Sequence, residues 1–232
     1  VDQIVAISNY VKNEICTKYN LDSKKIKVIN RGVDVKYFEK QILDFEIDKL
    51  INKFQIDTSK KLILYPARLT SWKGQIEFLE IFNKMKNDDF LLYFVGDTKN
   101  KSYTKKLQKK IQSLNLTHNC KIIGNLSRHD LKILYYLSSI IISFPLKAEG
   151  FGRIISEALI MKKKILSFNY GGVRDQLEKL DDVYKVDPLK YSDITTKLQN
   201  ILKLDDEKFF NLSSLSKEYI SKSFSKSQMI KS

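Results

Sequence analysis

The chain has 232 residues, 43% hydrophobic and 29% charged, the make-up of an ordinary globular protein with room for one large domain, or one domain and part of another. No apolar run approaches the ~20 residues a membrane span needs. The start "VDQIVAISNY" also lacks the basic and long apolar regions of a secretion signal. The net charge of +14 favours anionic partners, but it is carried by lysines spread along the chain, and the only arginines are Arg31, Arg68, Arg128, Arg153 and Arg174. Nucleic-acid surfaces favour clustered arginine with interleaved aromatics. The excess therefore reads as a solvated lysine coat, with peripheral contact to an acidic membrane surface as the second reading and no nucleic-acid partner.

The opening stretch reads strand, helix, strand: "QIVAIS", "NYVKNEICTKYN" and "KIKVIN", closed by a turn at "NRGVD". It starts without methionine on a strand that has no partner nearby in sequence, which reads as a fragment lacking its N-terminal part. A charged segment follows to about residue 58, in which "FEIDKLINKF" has apolar residues at helical spacing. Beyond it, strands are predicted at "KLILYP" (61–66), "LLYFVG" (91–96), "CKIIG" (120–124), "IIISFP" (140–145) and "KILSF" (164–168). Between them lie the amphipathic stretches "GQIEFLEIFNKMK", "TKKLQKKIQSL", "DLKILYYL" and "FGRIISEALIM".

Continuous apolar strands alternating with helices predict a parallel sheet covered on both faces. The fold class is α/β, a Rossmann-like doubly wound sheet whose ligands bind outside the carboxyl ends of its strands. From about residue 189 the chain is helical again, and its end, "SKSFSKSQMIKS", is expected to fray. Cys16 and Cys120 stand alone and read as thiols in a reducing, cytoplasmic compartment. His118 and His129 show no metal-ligand spacing, so no metal site is expected. In "LSRHDL", Ser127 and Asp130 read as a helix cap and its acidic third residue, which makes His129 a solvated first-turn residue.

Three loops carry the chemistry. "PARLTSWKGQIEFLEIF" (66–82) sets Arg68 and Lys73 beside a helix start at the carboxyl end of a strand. Such a pair suits a diphosphate, because arginine forks two oxygens, lysine supplies a point charge and free helical N–H groups add to both. A plain basic surface loop is the competing reading. "FPLKAEGFG" follows the strand 140–145 and leads into "RIISEAL". Gly150 and Gly152 let a ligand approach the backbone, and the helix starting near Phe151 would point the N–H groups of this turn, which runs through Gly152 to Arg153, at an anion. Glu149 and Glu157 flank that start, where acids would repel phosphate. Their natural partners are neutral hydroxyls, since a carboxylate accepts two strong hydrogen bonds from a vicinal diol. Glu157 would suit a ribose and Glu149 a hydroxylated group beyond the phosphates, with helix-dipole complementarity as the alternative for Glu149. In "NYGGVRDQLEKL", Gly171 and Gly172 fit either a tight turn or a ligand contact.

Together these segments resemble the donor-binding half of retaining glycosyltransferases of family four, which have the GT-B fold of two Rossmann-like domains. The family pattern of Glu, seven residues, Glu is matched by Glu149 to Glu157 inside "EGFGRIISEAL", and its arginine–lysine pair by "ARLTSWKG". "VGD", "IIGNLSRHDLKILYYLSSIIISFPLKAEGFG" and "GGVRDQ" fall in family order, and the resemblance extends to about residue 205. Where the family often has proline and glutamate after the glycine pair, Arg174 and Asp175 stand.

The resemblance implies residues 1–38 as the end of an acceptor domain and the interdomain crossover, 39–205 as the donor-binding domain, and 206–232 as a C-terminal helix and tail. It implies a hexosyltransferase using a nucleotide-diphosphate sugar, with a glycan or lipid-linked acceptor held by the missing half, in cell-envelope polysaccharide or lipopolysaccharide synthesis at the inner face of the cytoplasmic membrane. Arg68 and Lys73 would meet the charge of the departing diphosphate without metal or other cofactor. Glu149 would lie near the reacting carbon and Glu157 at the ribose, with backbone groups of Gly124, Asn125 and Leu126 reading the base. The fragment alone would bind donor but transfer little. The other readings are an inert nucleotide-sugar-binding or scaffolding module and, less favoured, a nucleic-acid-binding domain.

Overall fold

The computed structural model describes residues 3–85 and 88–232. β1 (Ile4–Ala6), α1 (Asn9–Tyr19) and β2 (Ile26–Val28) form a strand–helix–strand unit whose two strands pair in parallel as a sheet of their own. Ser8 opens α1 by accepting the Val11 N–H at 3.1 Å, and Asn20 closes it in the left-handed conformation. α2 (Val35–Glu39) and α3 (Asp44–Phe54) lead into the larger layer. At the start of α3 the Glu46 carboxylate accepts the Leu43 N–H at 2.9 Å.

The chain then alternates: β3 (Lys61–Pro66), α4 (Gln75–Met85), β4 (Phe90–Val95), α5 (Lys101–Ser113), β5 (Cys120–Gly124), α6 (Arg128–Leu137), β6 (Ile140–Ser143), α7 (Arg153–Ile160), β7 (Ile165–Phe168), α8 (Val173–Leu177) and β8 (Lys185–Val186). These six strands make one all-parallel sheet in the order β5-β4-β3-β6-β7-β8. The chain winds outward from β3 to β5, then returns to the middle and winds outward the other way from β6. The winding reverses between β3 and β6, and a crevice opens at their carboxyl ends.

The central strands are apolar on both faces because helices cover both. Ile63, Leu64, Leu92, Phe94, Ile140 and Ile142 have no exposed surface. An aromatic chain runs beneath the crevice from Phe94 to Tyr65, Phe78, Phe144 and Phe168, with ring centroids 5.0 to 5.8 Å apart.

α9 (Asp193–Leu202), α10 (Asp206–Ser223) and α11 (Lys226–Lys231) complete the chain. The tail expected to fray is ordered instead. The Ser225 hydroxyl caps α11 by accepting the Gln228 N–H at 3.2 Å. The Val33 N–H donates to the Phe224 carbonyl at 2.7 Å, and the Lys226 N–H donates to the Val33 carbonyl at 2.8 Å. Phe224 is buried against Phe151 and Tyr219. One of the serines that suggest a loose tail, Ser225, serves as a cap, and one phenylalanine anchors the segment.

His129 also differs from expectation. It is half-exposed but paired, with Nε2 2.9 Å from Glu46 Oε1. The Ser127 cap is present, accepting the Asp130 N–H at 2.9 Å. Cys16 and Cys120 are both free thiols, and burial pushes that of Cys120 up. Among the described residues no group of three or more His, Cys, Asp or Glu is placed to hold a metal ion, and no helix is long and apolar enough to cross a membrane.

Candidate active site at the carboxyl edge of the sheet

The loop after β3 is tied to the end of β6. A 3-10 turn at Ser71–Lys73 ends at Gly74, whose φ is +76°. A side chain there would put its first carbon 2.2 Å from the Phe144 carbonyl oxygen, so only glycine allows the turn to pass so close. The buried Tyr65 hydroxyl accepts the Phe144 N–H at 3.0 Å and donates to the Lys73 carbonyl. The Leu146 N–H reaches the Trp72 carbonyl at 2.7 Å. Gln75, itself held by the Tyr103 hydroxyl at 3.0 Å, donates to the Arg68 carbonyl at 2.9 Å. Arg68 and Lys73 thus sit on a loop fixed by buried bonds.

The loop after β6 is shaped from its other side. Gly152 caps α7 with φ +80°, so the helix starts at Arg153 rather than near Phe151. A first carbon on Gly172 would lie 2.0 Å from the Gly150 carbonyl oxygen, and the Gly172 N–H donates to the Glu149 carbonyl at 2.7 Å. The glycine pair therefore serves a close backbone approach that sets the 149–150 loop. Asp175, where the family often has glutamate, accepts from the Asn9 N–H at 2.6 Å and from the Asn9 side-chain amide at 3.2 Å. It holds the first turn of α1, a role found from the other end of the chain. Burial raises its carboxyl, opposed chiefly by those two bonds.

The two loops enclose a cavity of about 610 Å³. Arg68, Lys73, Glu149, Gly150, Phe151, Gly152, Arg153 and Glu157 all line it. Gly124, Asn125 and Leu126 do not. Gly124 ends β5, the outer strand of that side of the sheet, Asn125 and Leu126 follow it, and α6 reaches the cavity instead through Leu131. Lining residues that the sequence does not single out include Ile7, Arg31 and Trp72. For Arg31 the available signal was an arginine beside the glycine of "NRGVD"; for Trp72 it was the position next to Lys73.

The electrostatics sort themselves into pairs. Lys73 forms an ion pair with Glu149 while 14% and 11% of the two side chains remain exposed, and its ammonium lies 4.3 Å from the Trp72 ring centre. Arg153 Nη2 donates to Glu157 Oε1 at 2.9 Å, and the buried Tyr135 hydroxyl donates to Oε2 at 3.1 Å. Burial pushes the Glu157 carboxyl up, while Arg153, Tyr135 and Arg128 pull it back. Among the described residues, Arg31 and Arg68 have no carboxylate partner. Four cations and two carboxylates thus leave two arginines uncompensated at the mouth of a crevice, an arrangement that attracts a doubly charged anion.

Residues 46–217 match the family described as glycosyl transferases group 1. The chain belongs to this family. It is 24% identical over 174 residues to an uncharacterized glycosyltransferase, MJ1607, of Methanocaldococcus jannaschii, covering 75% of this chain and 44% of that protein. Among solved structures, a glycosyltransferase from Rickettsia africae superposes with a TM-score of 0.92 at 30% identity, over 99% of this chain and 61% of that one. Anabaena Alr3699/HepE, solved in complex with UDP-glucose, superposes with a TM-score of 0.87 at 20% identity, over 100% of this chain and 62% of that one. This group 1 glycosyl transferase chain therefore has the α/β architecture of part of a GT-B fold, and it spans under half the length of the MJ1607 relative.

Proposed function

We propose that this chain is the donor-binding half of a retaining, family-four glycosyltransferase that moves a sugar from a nucleotide-diphosphate donor to a glycan or lipid-linked acceptor. The observation that carries the reading is the charge arrangement of the cavity: two arginines without a carboxylate partner among the described residues, beside two carboxylates already met by Lys73 and Arg153. Arg68 and Lys73 take the diphosphate and meet its growing charge as it leaves, a form of electrostatic stabilisation worth several kcal/mol. Arg31 adds a third cation from the crossover segment. Glu149 faces the sugar hydroxyls and Glu157 the ribose diol. Side chains supply the charge complement, and we propose no metal or other cofactor for the step. The Anabaena protein of the same fold was solved with UDP-glucose, which fits a donor of this class. The acceptor and the transfer step belong to the whole enzyme, which we place in the cytoplasm, peripheral to the inner face of the membrane, in cell-envelope glycan synthesis.

Calorimetric titration with UDP, GDP and ADP tests the donor site. A hydrogen bond to a charged group contributes about 1.5–3 kcal/mol, so Arg68→Ala should weaken the best binder roughly 10- to 100-fold. Equal affinity in the parent and the variant would remove the donor-site assignment.

A further inference from the structure

Glu157 is held from two sides, and neither contact is one a ligand would make. Tyr135 projects from α6, fully buried, and its hydroxyl donates to Oε2. Arg153 stands one turn earlier on α7 and donates to Oε1, while 59% of its side chain stays exposed at the cavity. We propose that Tyr135 and Arg153 are positioning residues that hold the Glu157 carboxylate as a rigid double acceptor for the ribose diol of the donor. The inference rests on the donor reading given above.

A carboxylate offers about four acceptor positions, two on each oxygen. The clamp occupies one on each oxygen and leaves one on each, which is the number a vicinal diol needs. With both oxygens tied, the carboxylate cannot rotate, so the geometry is in place before the donor arrives. The clamp also bears on ionisation. Burial favours the protonated form, and a protonated carboxyl turns one acceptor into a donor. The titratable and charged groups around Glu157 are Arg153 on its own helix, Tyr135 and Arg128 from α6, Tyr37 from α2, Arg31 and Asp34 from the segment before α2, and Lys226 from α11, with Asp34 itself paired to Arg128 at 3.7 Å. Arg153 opposes the effect of burial most strongly. Tyr135 is itself pushed well up by burial and stays a donor.

Two measurements on the full chain test this. The first needs no donor: the Glu157 carboxyl is titrated by carbon NMR in the parent, in Arg153→Gln and in Arg153→Lys. The expected result is a midpoint raised in Arg153→Gln and returned toward the parent in Arg153→Lys. An unmoved midpoint in Arg153→Gln would overturn the clamp whatever the ligand is. The second is the pH profile of binding, using whichever of UDP, GDP and ADP binds the parent best. In Arg153→Gln the affinity should fall at a higher pH than in the parent as pH is lowered, because Glu157 takes its proton sooner. Tyr135→Phe should weaken binding about 3- to 10-fold, the loss of one hydrogen bond, with little added pH dependence. Parent-like profile and affinity in both variants would overturn the proposal. If Glu157→Gln binds like the parent, the ribose assignment fails instead, and the NMR midpoints still judge the clamp. A parent chain that binds none of the three nucleotides refutes the donor reading and this inference together.

Discussion

Tyr65→Phe isolates what holds the diphosphate loop. Tyr65, the last residue but one of β3, has 1% of its surface exposed, and its hydroxyl bridges the Lys73 carbonyl and the Phe144 N–H. The substitution keeps the ring, and with it the edge contact to Phe78 and the tilted contact to Phe94. It removes two hydrogen bonds of about 0.5–1.5 kcal/mol each and leaves a buried amide short of a partner, so the expected loss is about 2–4 kcal/mol. In a chain of this size each kcal/mol lowers Tm by roughly 2–4 °C, giving a fall of about 5–15 °C by calorimetry. Tyr93→Phe on the neighbouring strand is the control. Among the described residues the buried Tyr93 hydroxyl has no hydrogen-bond partner, and it is pushed up to about 12, chiefly by burial, so its removal should be neutral or stabilising. Diphosphate binding, measured well below the melting range, should weaken in Tyr65→Phe, because the Lys73 carbonyl loses its tether, and stay unchanged in Tyr93→Phe. Equal melting of parent and Tyr65→Phe, or an equal loss in Tyr93→Phe, would refute the bridge.

Two further outcomes follow from the same loops. Gly172→Ala keeps an ordinary backbone conformation but places a methyl 2.0 Å from the Gly150 carbonyl oxygen, so the 149–150 loop must move. Overpacking of this kind costs about 1–3 kcal/mol, and nucleotide titration should show donor affinity falling alongside the melting temperature. Glu157→Gln should act oppositely on stability and binding. Burial raises the folded pKa of Glu157 above its unfolded value, so the native chain binds its proton more tightly than the unfolded one. Stability from this group is greatest at acid pH and is lost as pH rises through the folded pKa. The amide removes the slope, and denaturant melts should show the variant less destabilised between acid and neutral pH, while nucleotide binding weakens.

Much of the fold was legible because parallel strands buried on both faces read as unbroken apolar runs. β3 and β5 fall where "KLILYP" and "CKIIG" placed them. β8 escaped because two residues, Lys185 and Val186, carry no periodicity, and their strand character comes from pairing with Ser167 and Phe168. The tail misled because serine and lysine resemble disorder by composition. Its order depends on hydrogen bonds to Val33, nearly two hundred residues earlier.

The site was legible loop by loop, and the sheet brought the loops together, because β3 and β6 are neighbours at the point where the winding reverses. Pairing across loops was not legible. The sequence assigns Lys73 to phosphate and Glu149 to sugar as separate tasks, whereas the structure ties the two together. Arg31 and Tyr135 come from segments whose local pattern suggests only a turn and a core helix. That pairing also answers how two acids can stand beside an anion site. A lone carboxylate at the start of α7 would repel a diphosphate, but Glu149 and Glu157 each carry a cation of their own. Their acceptor positions stay available to hydroxyls while their charge is already met, so Arg31 and Arg68 remain free to face the phosphates.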